Sequence, residues 1–137
     1  MINPDALAPL LEGENAPHFK AAADGRLLVP HCRDCAHHWF PAAHICPRCL
    51  GESVDWAELS GGATLWSWCE FHRPYFKALR DKVPYVVLAV TLDEGPRLYG
   101  NLIATAPAEL KVGMRLEADF TAGAGGAGMV NFRAARS

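Results

Sequence analysis

Apolar and polar positions change their rhythm twice along this chain. Leu7, Leu10 and Leu11 fall at helical spacing, and Asn15-Ala16-Pro17 reads as a helix start with proline in the first turn. The spacing predicts N-terminal helices, the second from about Pro17 to Asp24 with Gly25 as its stop. From Arg26 to His31 the pattern becomes extended, and a second extended run covers Ser53 to Glu58. Five further strand-like runs follow: Ala63 to Phe71, Tyr85 to Leu92, Arg97 to Ile103, Arg115 to Phe120 and Met129 to Arg133. The turns between them fall at Asp93-Glu94-Gly95-Pro96, around Pro107 to Gly113, and at the glycine-rich Gly123 to Gly128.

Five short strands after a small extended module predict a mainly β chain that ends in a five-stranded OB-fold barrel, with a helical turn around Pro107. Tyr85 to Val90 is almost continuously apolar, as for a strand covered on both faces, so it is expected at the barrel centre. Boundaries are expected near 1–25 for the helical segment, 26–60 for the extended module and 61–137 for the barrel.

Composition changes the picture only by exclusion. The formal net charge of −2 offers no positive field for a nucleic-acid backbone or an anionic membrane. The N-terminus has no basic region followed by a long apolar run, and no stretch reaches the length of a membrane-spanning helix, so a cytoplasmic protein is expected.

Four of the five cysteines form two pairs, Cys32-Arg33-Asp34-Cys35 and Cys46-Pro47-Arg48-Cys49. Each CxxC turn presents two thiolates on one side of a tight knuckle, and two facing knuckles complete the tetrahedron that zinc accepts. A shell of four thiolates leaves no open position, so Cys32, Cys35, Cys46 and Cys49 are expected to hold one structural zinc that does no chemistry. A redox CxxC, an iron site, or replacement of a cysteine by His31, His37, His38 or His44 are the competing readings. Glycine just after the second cysteine would close each knuckle more easily, yet Ala36 and Leu50 stand there.

No catalytic set emerges. Cys69 reads as a small buried hydrophobe, and Asp93 and Glu94 as turn residues. Gly123 to Gly128 matches GxGxxG literally, but a strand follows it instead of a helix, so it is a hairpin loop. Trp66 and Trp68, two apart on one strand, are expected to share a face as core or apolar surface rather than to stack bases. In Phe71-His72-Arg73-Pro74-Tyr75-Phe76-Lys77 aromatic and basic groups interleave, a composition that suits an adenine and phosphates or a protein partner.

Taken together, the strings GRLLVPHCRDC, FPAAHICPRC, DWAELSGGATLWSW, FHRP, VPYVVLAVTLDEGPRLYGNLI and LKVGMRLEADF resemble the DUF35 family over nearly the whole chain. That resemblance implies N-terminal helices, a rubredoxin-like zinc ribbon and an acyl-CoA-associated OB-fold. It also implies a non-catalytic partner subunit of a thiolase-superfamily enzyme that makes or breaks a carbon–carbon bond in an acyl-CoA ester. The zinc-ligand role falls on the four paired cysteines, and Phe71, His72, Arg73, Tyr75, Phe76, Lys77 and Tyr85 correspond to positions near the partner or acyl-CoA surface. A stand-alone acyl-CoA binding module and a single-stranded nucleic-acid binder are the rival expectations.

Overall fold

The computed structural model describes residues 13–74, 80–122 and 126–136. The expected first helix around Leu7 to Leu11 lies outside the described residues, as do Tyr75, Phe76 and Lys77. One α-helix, α1 (Ala16–Ala23), precedes a two-stranded antiparallel ribbon, β1 (Leu27–Cys32) with β2 (Val54–Leu59). Five strands then build the barrel: β3 (Gly62–Phe71), β4 (Tyr85–Leu92), β5 (Arg97–Asn101), β6 (Arg115–Ala122) and β7 (Gly128–Ala134), with a 3-10 turn at Pro107–Glu109. Among the described residues no helix is long and apolar enough to cross a membrane.

The order in the sheet is β5-β4-β3-β6-β7, so β3 is its middle strand and β4 stands one place off centre. The apolar run of β4 resolves into two sets: Val86, Leu88, Val90 and Leu92 are buried in the barrel, while Tyr85, Val87 and Thr91 are half-covered on the outer side. The barrel is nearly closed between β5 and β7, where Leu102 bridges Phe132 and the Asn101 N–H donates to Asn131 Oδ1. Gly100 makes this approach possible, because a Cβ there would stand 2.9 Å from the Phe132 ring.

One apolar core joins α1, the ribbon strands and the barrel. Ala22 of α1, Leu27, Val29 and Leu59 of the ribbon, and Leu65, Leu88, Val90, Leu116 and Phe132 of the barrel belong to a single buried cluster. Burial of these side chains is the main force that holds the ribbon on the barrel. Asn15 precedes α1 as expected, but its side chain does not cap the helix; Oδ1 accepts from the Ala42 N–H instead, tying the helix start to the ribbon loop.

A bulge in β3 alters the tryptophan geometry. Leu65 pairs with Val90 and Ser67 with Ala89, which leaves Trp66 as the extra residue. Trp68 is then opposite Leu88, on the inward-facing side of the sheet, whereas Trp66 lies outside under the Arg97 guanidinium, 3.7 Å from its ring centre. The two tryptophans therefore do not share a face, contrary to the i, i+2 expectation, because the inserted residue shifts the side-chain alternation by one.

Candidate functional site: a cysteine cluster and a projecting strand pair

The two knuckles are built alike. Ala36 N–H donates to the Cys32 carbonyl and Leu50 N–H to the Cys46 carbonyl, each at 2.9 Å. Cys32 N–H donates to His37 O and Cys46 N–H to Gly51 O, which closes each turn. Ala36 and Leu50 carry φ of 64° and 63°, the left-handed conformation for which glycine was expected. These side chains are tolerated because four backbone hydrogen bonds over-determine the turns.

The Sγ atoms of Cys32, Cys35, Cys46 and Cys49 all lie within 4.8 Å of one another. The Cys32–Cys49 and Cys35–Cys46 separations are 3.6 Å, close to the roughly 3.75 Å edge of a tetrahedron with metal–sulfur bonds of about 2.3 Å. Gly51 makes room for this packing, since a Cβ there would meet Asp34 Oδ2 at 3.0 Å and Cys49 Sγ at 3.3 Å. Four thiols this close resist joint ionisation unless a cation joins them. Burial works to raise the Cys46 thiol, but the N–H groups of Cys49 and Arg48 outweigh it and bring it down to about 7. At Cys49 the Gly51 N–H works to lower the thiol, but the Cys32 thiol and burial prevail and push it up to about 12. A divalent cation reverses that cost by stabilising every thiolate at once. No histidine joins this cluster: His31 Nδ1 pairs with Asp55 at 2.8 Å, His37 stacks on Trp39, and His44 Nε2 meets Glu14.

The second feature is the far half of β3. β3 pairs with β6 only over Gly62–Thr64, while its pairing with β4 continues to Phe71. From Trp66 to Glu70 every residue is exposed, and among the described residues the edge turned away from β4 has no strand partner. Cys69 is exposed within this stretch, not buried as expected, because it sits where the strand pair has outrun the barrel. Phe71 and Tyr85 close the pair with stacked rings, centroids 5.1 Å apart. His72 and Arg73 follow as exposed residues, His72 Nε2 lying 3.4 Å from Glu70 Oε1. Tyr85 also lines a cavity of about 360 Å³ between β4 and the chain leading to the 3-10 turn, with Pro84, Asn101, Ile103 and Thr105. Of the expected contact residues, then, Phe71, His72, Arg73 and Tyr85 gather at one end of the β3/β4 pair.

Arg97 and Tyr99, exposed on β5 beside Trp66, were not singled out by the sequence. Their alternation with buried Leu98 was the available signal: an arginine and a tyrosine on the outer positions of an edge strand. Asp93 and Glu94 are turn residues as expected. Asp93 accepts two hydrogen bonds from the Arg115 guanidinium, which holds its carboxyl below the ordinary range, and Glu94 Oε2 accepts from the Ser60 N–H. Neither carboxylate is placed for acid–base work.

Comparison with known proteins covers both features. Residues 19–55 match the family described as ChsH2, rubredoxin-like zinc ribbon domain, and residues 56–121 match ChsH2, C-terminal OB-fold domain. A probable enoyl-CoA hydratase alpha subunit of Thermomonospora curvata is 34% identical over 112 residues, 82% of this chain but 34% of the relative, so this chain spans about a third of that protein. A DUF35 domain-containing scaffold protein of Methanocaldococcus jannaschii is 30% identical over 95 residues, covering 69% of this chain and 67% of the relative. Among solved structures, a chain of the Ltp2-ChsH2(DUF35) aldolase is 32% identical with a TM-score of 0.81, over 93% of this chain and 99% of that one. The ribbon is thus a zinc ribbon, and its cofactor is a structural zinc.

Proposed function

The chain belongs to the DUF35 family of ChsH2-type zinc-ribbon and OB-fold proteins, and from that premise we propose that it is the accessory subunit of a thiolase-like enzyme acting on an acyl-CoA ester. The observation that carries the reading is the projecting β3/β4 pair: a strand end exposed from Trp66 to Glu70, with one edge unpaired among the described residues and aromatic groups beside it. A working interface needs roughly 1,000 Å² of buried surface anchored by aromatic and arginine side chains. Trp66, Tyr99 and Arg97 on the outer face and Trp68 on the other face of the strand pair supply such anchors, and Phe71, His72, Arg73 and Tyr85 lie at its end. The relation to a chain of an aldolase complex supports this placement.

Cys32, Cys35, Cys46 and Cys49 are the zinc ligands in this account, and the zinc stiffens the ribbon without touching substrate. The catalytic groups belong to the partner. This chain's contribution is to wall the channel by which the pantetheine arm enters, with the cavity beside Tyr85 at its side, so that water is excluded and the ester is held in place. The setting is cytoplasmic. With a net charge of −2, a nucleic-acid strand is the weaker occupant of the exposed aromatics.

The test is an assay with each subunit omitted. This chain and a thiolase-like protein encoded beside it are purified together and apart, and acyl-CoA cleavage or condensation is followed. Full activity requires both, and this chain alone converts nothing. A partner that is fully active by itself, or turnover by this chain alone, defeats the reading. A CoA titration of the isolated chain separates it from the stand-alone binding module, which would bind tightly without a partner.

A further inference from the structure

A cavity of about 310 Å³ is bounded by α1, the Phe40–Pro41 loop and the starts of β5 and β7. Its wall is apolar except at two places. Phe19, Phe40, Tyr99 and Met129 contribute rings and a thioether, while His18 and Arg97 contribute polar groups.

His18 is 4% exposed, and its Nδ1 lies 2.7 Å from the Leu28 carbonyl oxygen. A carbonyl oxygen can only accept, so Nδ1 carries the proton and Nε2 keeps a bare lone pair. Burial holds the imidazole below its ordinary range and so maintains that neutral form, although the Leu28 hydrogen bond works the other way. With Nδ1 committed, Nε2 is the polar atom His18 can present to the cavity it lines, and among the described residues no donor reaches it. The Phe40 ring lies tilted against the imidazole with centroids 4.1 Å apart, and Phe19 meets it edge to face at 5.0 Å. At the other polar place, the Arg97 guanidinium covers Trp66 and meets no carboxylate in ion-pair range among the described residues.

A histidine acceptor that no protein donor reaches, aromatic walls and a guanidinium with no carboxylate partner among the described residues together suit a ligand. We propose that this cavity binds a small planar aromatic acid that also carries a hydrogen-bond donor: the donor bonds His18 Nε2, the ring packs against Phe19, Phe40 and Tyr99, and the acid pairs with Arg97. The site is separate from the zinc cluster and from the cavity beside Tyr85. It shares Arg97 and Tyr99 with the proposed docking face, so it is tested on the chain without a partner.

The probe is 4-hydroxybenzoate, with benzoate lacking the donor and phenol lacking the charge, titrated into the zinc-loaded full chain. His18 ring nitrogens are followed by NMR. The expected result is saturable binding of 4-hydroxybenzoate that moves the Nε2 resonance, about tenfold tighter than either analogue, as one lost polar interaction implies. Arg97→Gln removes the preference over phenol, and Met129→Trp fills the cavity and abolishes binding. His18→Phe removes the preference over benzoate; if that variant folds poorly, the wild-type Nε2 shift carries the same information. No movement of Nε2 at saturating probe, equal affinity for all three compounds, or binding that survives Met129→Trp overturns the proposal.

Discussion

Gly128→Ala tests how α1 is fastened to the barrel. Gly128 opens β7 directly beneath the end of the helix, where an added Cβ would lie 2.2 Å from the Ala23 nitrogen and 2.3 Å from the Ala22 carbonyl carbon. Both obstacles are backbone, so no side-chain rotation relieves them. The helix must back away by over an ångström before ordinary contact is restored. That shift opens the packing of Ala22 against the core and disturbs His18 one turn earlier. Forced overpacking costs about 1–3 kcal/mol and more when backbone has to move, so about 3 kcal/mol is expected. In a chain of this size that lowers Tm by roughly 10 °C. The control is Gly126→Ala, whose Cβ would meet nothing within 4 Å and suffers only from a φ of +86°. It should cost about 1 kcal/mol. Urea unfolding of both variants, with zinc in excess, gives the comparison. If Gly128→Ala costs no more than Gly126→Ala, the helix is not seated on β7 as described.

Three further outcomes follow from the ribbon and from His18. Chelation of zinc should unfold the ribbon, because structural zinc binding of about 10–16 kcal/mol exceeds the stability of most domains, about 5–15 kcal/mol. Trp39, packed on Cys32 and Cys46, should lose its dispersed indole NMR signal on chelation, and an unchanged signal contradicts the account. Leu50→Gly should stabilise the protein by about 0.5–1 kcal/mol, since it relieves a left-handed φ of 63° at a residue that is 74% exposed, offset in part by chain entropy. A lowered urea midpoint counts against the knuckle geometry. His18 titrates below its ordinary 6.5 through burial, so the stability it contributes is present above that pH and is lost as pH falls toward the folded value. Between pH 7.5 and 5.5 the wild type should therefore lose more stability than His18→Phe at saturating zinc; parallel pH profiles exclude a buried neutral imidazole.

The ribbon was legible because metal binding leaves a covalent spacing in the sequence: two CxxC pairs mean two knuckles almost regardless of context. The strands were legible from alternating and β-branched runs, and Tyr85–Leu92 was placed to the residue. Its central position was not, since apolar density reports burial and not order in the sheet. The face assignment of Trp66 and Trp68 failed at a single inserted residue, which no period-2 reading can see without knowing the partner strand. Cys69 misled for a related reason. Burial preference belongs to the residue type, but exposure here follows from a strand pair that extends past the barrel. His18 drew no notice, and Gly128 was read only as the end of a glycine-rich hairpin loop, because their roles arise only when α1 folds onto β7, more than a hundred residues away in the chain.

The central claim is that the exposed end of the β3/β4 pair docks on a thiolase-like partner, and light scattering on the mixed proteins measures it directly. The account predicts a stable complex with the wild-type chain and about a hundredfold weaker association, as loss of two anchors implies, when Trp66 and Trp68 are both changed to alanine, with zinc content and urea midpoint retained. A mixture that stays two separate species, or a complex indifferent to both substitutions, contradicts it.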